Sequence, residues 1–428
     1  MGTVSTAGSP PVAYAHPFIV CAGSGGPVTL WTVNLEGNSA ILTLTLDTVP
    51  PGRIWRCAVL QDTHLLIHSV VDDWNTVISV YSLSHGDMQD SLDIGHGGAG
   101  AMISPSNQLF LHPNASEARI YSISITEGLG AKFNAGTVIE HPPTSTAYAS
   151  DIPQPVFLSR DTVIFSQARS PDPSVHLAHW IINRSSKSAT AGTGTTLPPL
   201  RLPPNDLPRA RIDSMLLDSI TVPVPPEDGT CASIVMAHTE AFFDFADEEP
   251  VTAVRRVSVS GGDATMGWAV LLSQRTTWLR HSTAADLLVA YGYRSIEEGM
   301  TLIVLNPSTG AVLAEHSLGA TDSKRVTVCA LTPSGSRIVI VRGNGSIIAC
   351  PVEALVAAGL PREQDGPLVW TPCPSTVPAS VPTKAADRRA LERGWWRWVE
   401  NAYIDERSVV LVPEDKRRGD FVVLPLQE

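Results

Sequence analysis

Two histidine pairs and one glycine-rich run are where this sequence could do chemistry. His64 and His68 are four residues apart, and His176 and His179 three apart. Side chains alternate faces along a β-strand, so His176 and His179 point to opposite sides and cannot converge on one ion. His64 and His68 share a strand face, but a metal site needs further ligands and the spacing indicates no third one. The run Gly95-His-Gly-Gly-Ala-Gly100 has the spacing of a dinucleotide-binding loop. Such a loop works only between a strand and a helix whose N-terminus meets the pyrophosphate. Here Ala101-Met-Ile-Ser-Pro follows, which reads as a strand. The sequence contains no Gly-x-Ser-x-Gly elbow, His-Glu-x-x-His or Walker-type loop. The six cysteines (Cys21, Cys57, Cys231, Cys329, Cys350 and Cys373) include no Cys-x-x-Cys pair and read as buried reduced thiols. No catalytic residue, metal or cofactor is expected.

Two charged segments point to binding instead. Asp244-Phe-Ala-Asp-Glu-Glu249 is acidic and reads as a solvated loop, with a cation or a basic partner as the alternative. Lys384 to Trp398 joins five basic residues to three tryptophans in a chain of net charge −12. Tryptophan and arginine dominate interface hot spots. Arg388, Arg389, Arg393, Trp395 and Trp396 are therefore the candidate partner-binding residues, suited to an acidic protein or peptide. The competing reading packs the tryptophans into the last sheet and leaves the charges wet. The acidic balance disfavours nucleic acid. The start shows no basic region followed by a long apolar stretch, and Met1-Gly-Thr-Val-Ser-Thr6 matches the loose myristoylation pattern without a basic cluster behind it. A cytoplasmic or nuclear monomer, not bound to membrane, is expected.

These residues must be carried by strands. Short β-rich runs recur along the 428 residues, among them Val77 to Ser84, Ala118 to Ile125, Thr301 to Asn306, Arg337 to Arg342 and Phe421 to Leu426. Ile338 to Val341 is apolar without alternation, as a strand buried on both faces would be. Ser104-Pro-Ser-Asn and Thr332-Pro-Ser-Gly each have proline at the second turn position, which suits a tight turn between antiparallel strands. Later strands run through polar residues to a glycine, as in Asn306-Pro-Ser-Thr-Gly. Together these marks predict an all-β chain: a single closed β-propeller of about seven blades, with eight as the alternative. The blades fall near 17–49, 53–95, 98–142, 153–192, 213–262, 266–320 and 325–373, with a last piece at 396–426. The first block lacks an innermost strand, so the two ends are expected to share a blade, which removes sheet edges. Residues 1–16 are expected to be a flexible lead-in to a propeller spanning 17–428. Surface loop insertions are expected near 185–207 and 361–384, and short helices at Val352 to Leu360 and Ala385 to Arg393.

The paired turn marks resemble degenerate WD-type repeats, although the Trp-Asp dipeptide is missing. The layout is similar to the C-terminal propeller of fungal F-box proteins. That similarity rests on Trp55-Arg-Cys-Ala-Val-Leu-Gln-Asp-Thr-His-Leu-Leu-Ile with Val77 to Ser84, and on Tyr403-Ile-Asp-Glu-Arg-Ser-Val-Val-Leu-Val with Phe421-Val-Val-Leu. The F-box itself is not seen. A propeller offers a rigid ring whose faces are built from variable loops, and this chain spends its irregular sequence in such loops, so a scaffold or substrate-recognition propeller without catalytic activity is expected. The alternative is a propeller hydrolase of the lactonase kind, with acidic and histidine side chains from several blades converging at the central channel.

Overall fold

A computed structural model describes the strands and short turns between residues 12 and 426. The segments 1–11, 141–153, 201–211, 223–230, 243–250, 358–398 and 414–421, with shorter joins, lie outside the described residues. The described residues form eight antiparallel sheets of three or more strands, each built mainly from consecutive strands.

The first sheet holds β1 (Val12–Ala15), β2 (Phe18–Ala22), β3 (Val28–Asn34) and β4 (Ser39–Thr45). The second holds β5 (Arg53–Leu60), β6 (His64–Val70), β7 (Asn75–Ser82) and β8 (Met88–His96). The third holds β9 (Met102–Ile103), β10 (Gln108–Asn114), β11 (Glu117–Thr126), β12 (Gly130–Phe133) and β13 (Thr137–Glu140). The fourth holds β14 (Gln154–Ser159), β15 (Thr162–Ala168), β16 (Val175–Asn183), β17 (Ser188–Ala191) and β18 (Thr195–Leu197). A two-stranded ribbon, β19 (Ile212–Asp213) with β22 (Ala241–Phe242), continues beyond the ladder of β20 (Leu216–Val222) and β21 (Cys231–Thr239). Those two strands and β23 (Thr252–Ser260) and β24 (Asp263–Leu272) make the fifth sheet. The sixth has β25 (Arg275–Ser282), β26 (Leu287–Ser295), β27 (Gly299–Leu305) and β28 (Val312–Ser317). The seventh has β29 (Val326–Leu331), β30 (Arg337–Arg342) and β31 (Ile347–Pro351), followed by helix α1 (Val352–Ala357). The eighth has β32 (Val399–Ile404), β33 (Ser408–Pro413) and β34 (Val422–Pro425).

Neighbouring sheets pack face to face, which explains the apolar runs. Ile338 and Ile340 join Val289, Leu302 and Val304 of the sixth sheet, while Val339 and Val341 join Ala402, Val409 and Leu411 of the eighth. A strand clasped on both sides has no polar face. Likewise Leu65 and Ile67 meet Val20 and Leu30 of the first sheet, while Leu66 meets Ile123 of the third. The first strands of adjacent sheets lie side by side, β1 with β5, β14 with β20, β20 with β25, and β29 with β32. The first strands thus form the inner edge of these neighbouring sheets, and the last strands their outer edge.

Several expectations need correction. β1 supplies the innermost strand that the sequence pattern leaves missing, and it begins within 1–16. The N-terminal strands complete their own four-stranded sheet, and the C-terminal strands form another. Among the described residues no strand pairing joins the two, so the shared blade is not seen. Residues 263–272 close the fifth sheet instead of opening the sixth, because Asp263–Leu272 pairs along the full length of β23, with Asp263 opposite Ser260 and Leu272 opposite Thr252. Two short strands, β17 and β18, fall inside the 185–207 stretch. The 361–384 stretch and Ala385 to Arg393 lie outside the described residues, whereas a helix forms at Val352–Ala357.

Candidate functional site at the bulged end of the inner strands

Five inner strands share one irregularity near their first residues. Each ladder to the second strand skips a residue: Trp55 in β5, Leu217 in β20, Thr277 in β25, Thr327 in β29 and Glu400 in β32. A β-bulge sets two residues against one, breaks the ladder locally and re-aims the chain, and such bulges gather beside functional sites. All five lie at the end of the sheets where the chain enters the first strand and where the second strand turns into the third.

The sixth sheet shows how one bulge is built. Thr276 pairs with Gly292 and Trp278 with Tyr291, which leaves Thr277 extra. Gly292 is required by the close approach: a Cβ there would collide with the carbonyl oxygen of Arg275 and lie 2.8 Å from Thr276 Cα. Buried polar groups fix the incoming connector. Thr252 Oγ1 donates to Gln274 O at 2.5 Å and accepts from Thr276 N at 3.0 Å. Gln274 Nε2 donates to Thr276 Oγ1 at 3.3 Å, and Arg294 Nε donates to Ser273 O at 3.1 Å. Arg294 is also paired with Glu298 at 3.0 Å and with Glu315. Thr252, Gln274 and Thr276 are fully buried, whereas Arg275, Thr277 and Arg280 are exposed. Trp278 stacks on Tyr291 with ring centroids 5.5 Å apart, and the Arg280 guanidinium lies 5.8 Å from the Trp278 ring centre. A backbone shaped by buried hydrogen bonds thus presents exposed cationic, hydroxyl and aromatic groups along one inner strand.

The opposite end is tied together across sheets. Ser282 Oγ donates to Gly335 O, and Thr283 Oγ1 donates to Ser334 O at 3.2 Å. Ser334 in turn gives its N–H to Glu406 Oε1 and its hydroxyl to Glu406 Oε2 at 2.9 Å. The Thr332-Pro-Ser-Gly turn closes as expected, with Gly335 N donating to Thr332 O at 2.8 Å.

The residues singled out in the sequence are not brought together. Arg388, Arg389, Arg393, Trp395 and Trp396 lie outside the described residues, as do Asp244 to Glu249. His64 and His68 are buried on β6, and His64 Nδ1 meets Thr63 Oγ1 at 2.9 Å. Burial lowers the His64 pKa, against the pull of Asp87. His176 and His179 sit on β16 opposite Gln167 and Ile164. Gly95 pairs with Thr76 in the ladder, and the chain resumes after residue 101 as strand β9, not as the helix a dinucleotide site needs. His281 pairs with Asp286 at 3.0 Å at the tied end, and His316 meets Leu355 O at 2.9 Å at the outer edge. Arg275, Thr277 and Arg280 carry no local motif. The one signal for them is Gly292, because a lone glycine inside a strand marks a bulge or a close backbone approach.

No family model and no curated relative matches the chain. Among solved structures, the chain resembles the C-terminal WD40 domain of Sif2 with a TM-score of 0.53 and 8% identity, covering 98% of this chain and 97% of that one. It resembles Sqt1 of Saccharomyces cerevisiae with a TM-score of 0.55 and 9% identity, again over 98% and 97%. At such identities the likeness speaks for the fold alone, and with the antiparallel sheets stacked around their first strands it makes this chain a WD-repeat-like β-propeller.

Proposed function

We propose that this propeller is a protein-interaction module without catalytic activity of its own, and that it holds a protein or peptide partner at the bulged end of its inner strands. The carrying observation is the repetition of the bulge. Five sheets keep the same backbone irregularity at the same end while its residue changes from Trp55 to Leu217, Thr277, Thr327 and Glu400. Constant geometry with varied chemistry is what a recognition surface on a rigid scaffold requires. The sheets close into a ring in this reading, and the protein acts as a monomer. Its setting is the cytoplasm, which fits the free thiols of Cys57, Cys329 and Cys350. Burial pushes the Cys57 thiol up to about 12, so it is unreactive at neutral pH. The segment containing Arg388, Arg389, Arg393, Trp395 and Trp396 supplies a basic, aromatic second anchor for an acidic partner.

Affinity capture with quantitative mass spectrometry tests the reading on three proteins: the native chain, Thr277→Glu at the bulged end and Glu406→Ala at the tied end. Proteins lost with Thr277→Glu and retained with Glu406→Ala are the expected result. An identical set captured by all three, with unchanged melting temperatures, would place the contact surface elsewhere.

A further inference from the structure

Charge is distributed unevenly between the inner strands and the outer ones. The eight first strands carry Arg53, Arg56, Arg275 and Arg280 against only Asp218 and Glu400, in a chain of net charge −12. The closing strands β4, β8, β12, β17, β24, β28, β31 and β34 carry Asp90, Asp93, Asp263 and Glu315 against only Lys132. An acidic protein has thus gathered basic residues on its first strands, and a local excess of one sign draws opposite charge to it.

We propose that β25 is a binding site for an extended acidic peptide segment of a partner protein, seated on Arg275 and Arg280; this rests on the reading of the bulged end as the contact surface. Both arginines are exposed. The Arg280 guanidinium is placed by the Trp278 ring, which Tyr291 holds, and by its own bond to Leu279 O at 2.7 Å. A planar guanidinium suits a carboxylate better than an ammonium does. With one of the intervening residues taken up by the bulge, the two arginines are four strand steps apart, roughly 13 Å. One phosphate or one carboxylate cannot reach both. Two carboxylates four residues apart on an extended chain can. The net negative charge disfavours a nucleic-acid backbone.

The test is fluorescence anisotropy with the full chain and labelled Gly/Ser peptides. One peptide carries glutamate at every fourth residue, one carries the same glutamates as a contiguous block, and one carries lysine at every fourth residue. The spaced glutamate peptide should bind most tightly and weaken with salt. Arg275→Glu and Arg280→Glu should each weaken it by about tenfold or more, equivalent to ~1.4 kcal/mol. Arg275 lies away from the Trp278 stack, so Arg275→Gln at an unchanged melting temperature separates lost binding from lost folding. Equal affinity for the lysine peptide, or no effect of either arginine change, overturns the proposal. A single-stranded RNA or a phosphatidylserine vesicle that binds in place of the peptide, with the same arginine dependence, also overturns it. If Thr277→Glu abolishes partner capture while the spaced peptide fails to bind, only the acidic-peptide inference falls.

Discussion

The two ends of the sheets solve opposite problems with similar residues. At the tied end, Ser282, Thr283, Ser334 and Glu406 spend their hydrogen bonds on the next sheet, so that the sixth, seventh and eighth sheets are joined turn to turn. At the bulged end, Thr252, Gln274, Thr276 and Arg294 spend theirs on the chain entering β25, which leaves Arg275 and Thr277 facing solvent. Polar side chains at one end stitch the scaffold. At the other they hold an irregular backbone that displays its neighbours. In the proposed function the difference lets a stack of packed sheets be rigid and still offer a variable surface, with rigidity and recognition assigned to different ends.

Substitutions at the shared core and at each end should break this comparison in graded ways. Ile340 is fully buried between the sixth and seventh sheets. Ile340→Asp should destabilise by ~4 kcal/mol or more, because a carboxylate would be desolvated without a partner, and both ends should fail together. Soluble protein with native circular dichroism would show that this face is not packed. Gly292→Ala forces a methyl against the Arg275–Thr276 backbone. Overpacking of this kind costs about 2 kcal/mol, and partner capture should fall with it even where the protein remains folded at low temperature. Full stability and full capture would mean that the bulge is neither tight nor used. Glu406→Ala removes the acceptor for Ser334 and should lower stability by ~1 kcal/mol, seen as a small drop in melting temperature with capture untouched. Capture that fell in step with Glu406→Ala would erase the distinction between the ends. The smallest effect on folding is expected from Arg388→Glu with Arg389→Glu. Exposed ion pairs contribute only ~0–1 kcal/mol each, so stability should hold while capture weakens, most clearly at low salt. Unchanged capture there removes the 384–398 segment from the binding surface.

The strands, their antiparallel order and the tight turns were legible because their causes are local. Thr332-Pro-Ser-Gly encodes its own turn, and Asn306 encodes another by accepting the N–H groups of Ser308 and Thr309 at 2.8 and 3.0 Å. Two-sided burial was legible too, from the unbroken run Ile338 to Val341. The grouping of strands into sheets was less so. Asp263–Leu272 looks like any other strand, and only its pairing with β23 assigns it to the fifth sheet. Val12–Ala15 is too short to stand out from the Gly- and Pro-rich start. The candidate site was the least visible part, since a bulge is a property of register between two strands and leaves no motif in either. The arginines of β25 become a site only once the first strands are known to lie side by side.

Hydrogen exchange followed by mass spectrometry, on the free chain and on its complex with a captured partner, tests the division between the ends most directly. Binding at the bulged end and along β25 predicts new protection in 216–218, 275–280 and 326–328, with the turns at 283–286 and 332–336 exchanging as they do in the free protein. Protection concentrated at 283–286 and 332–336, with the bulged segments unchanged, would contradict it.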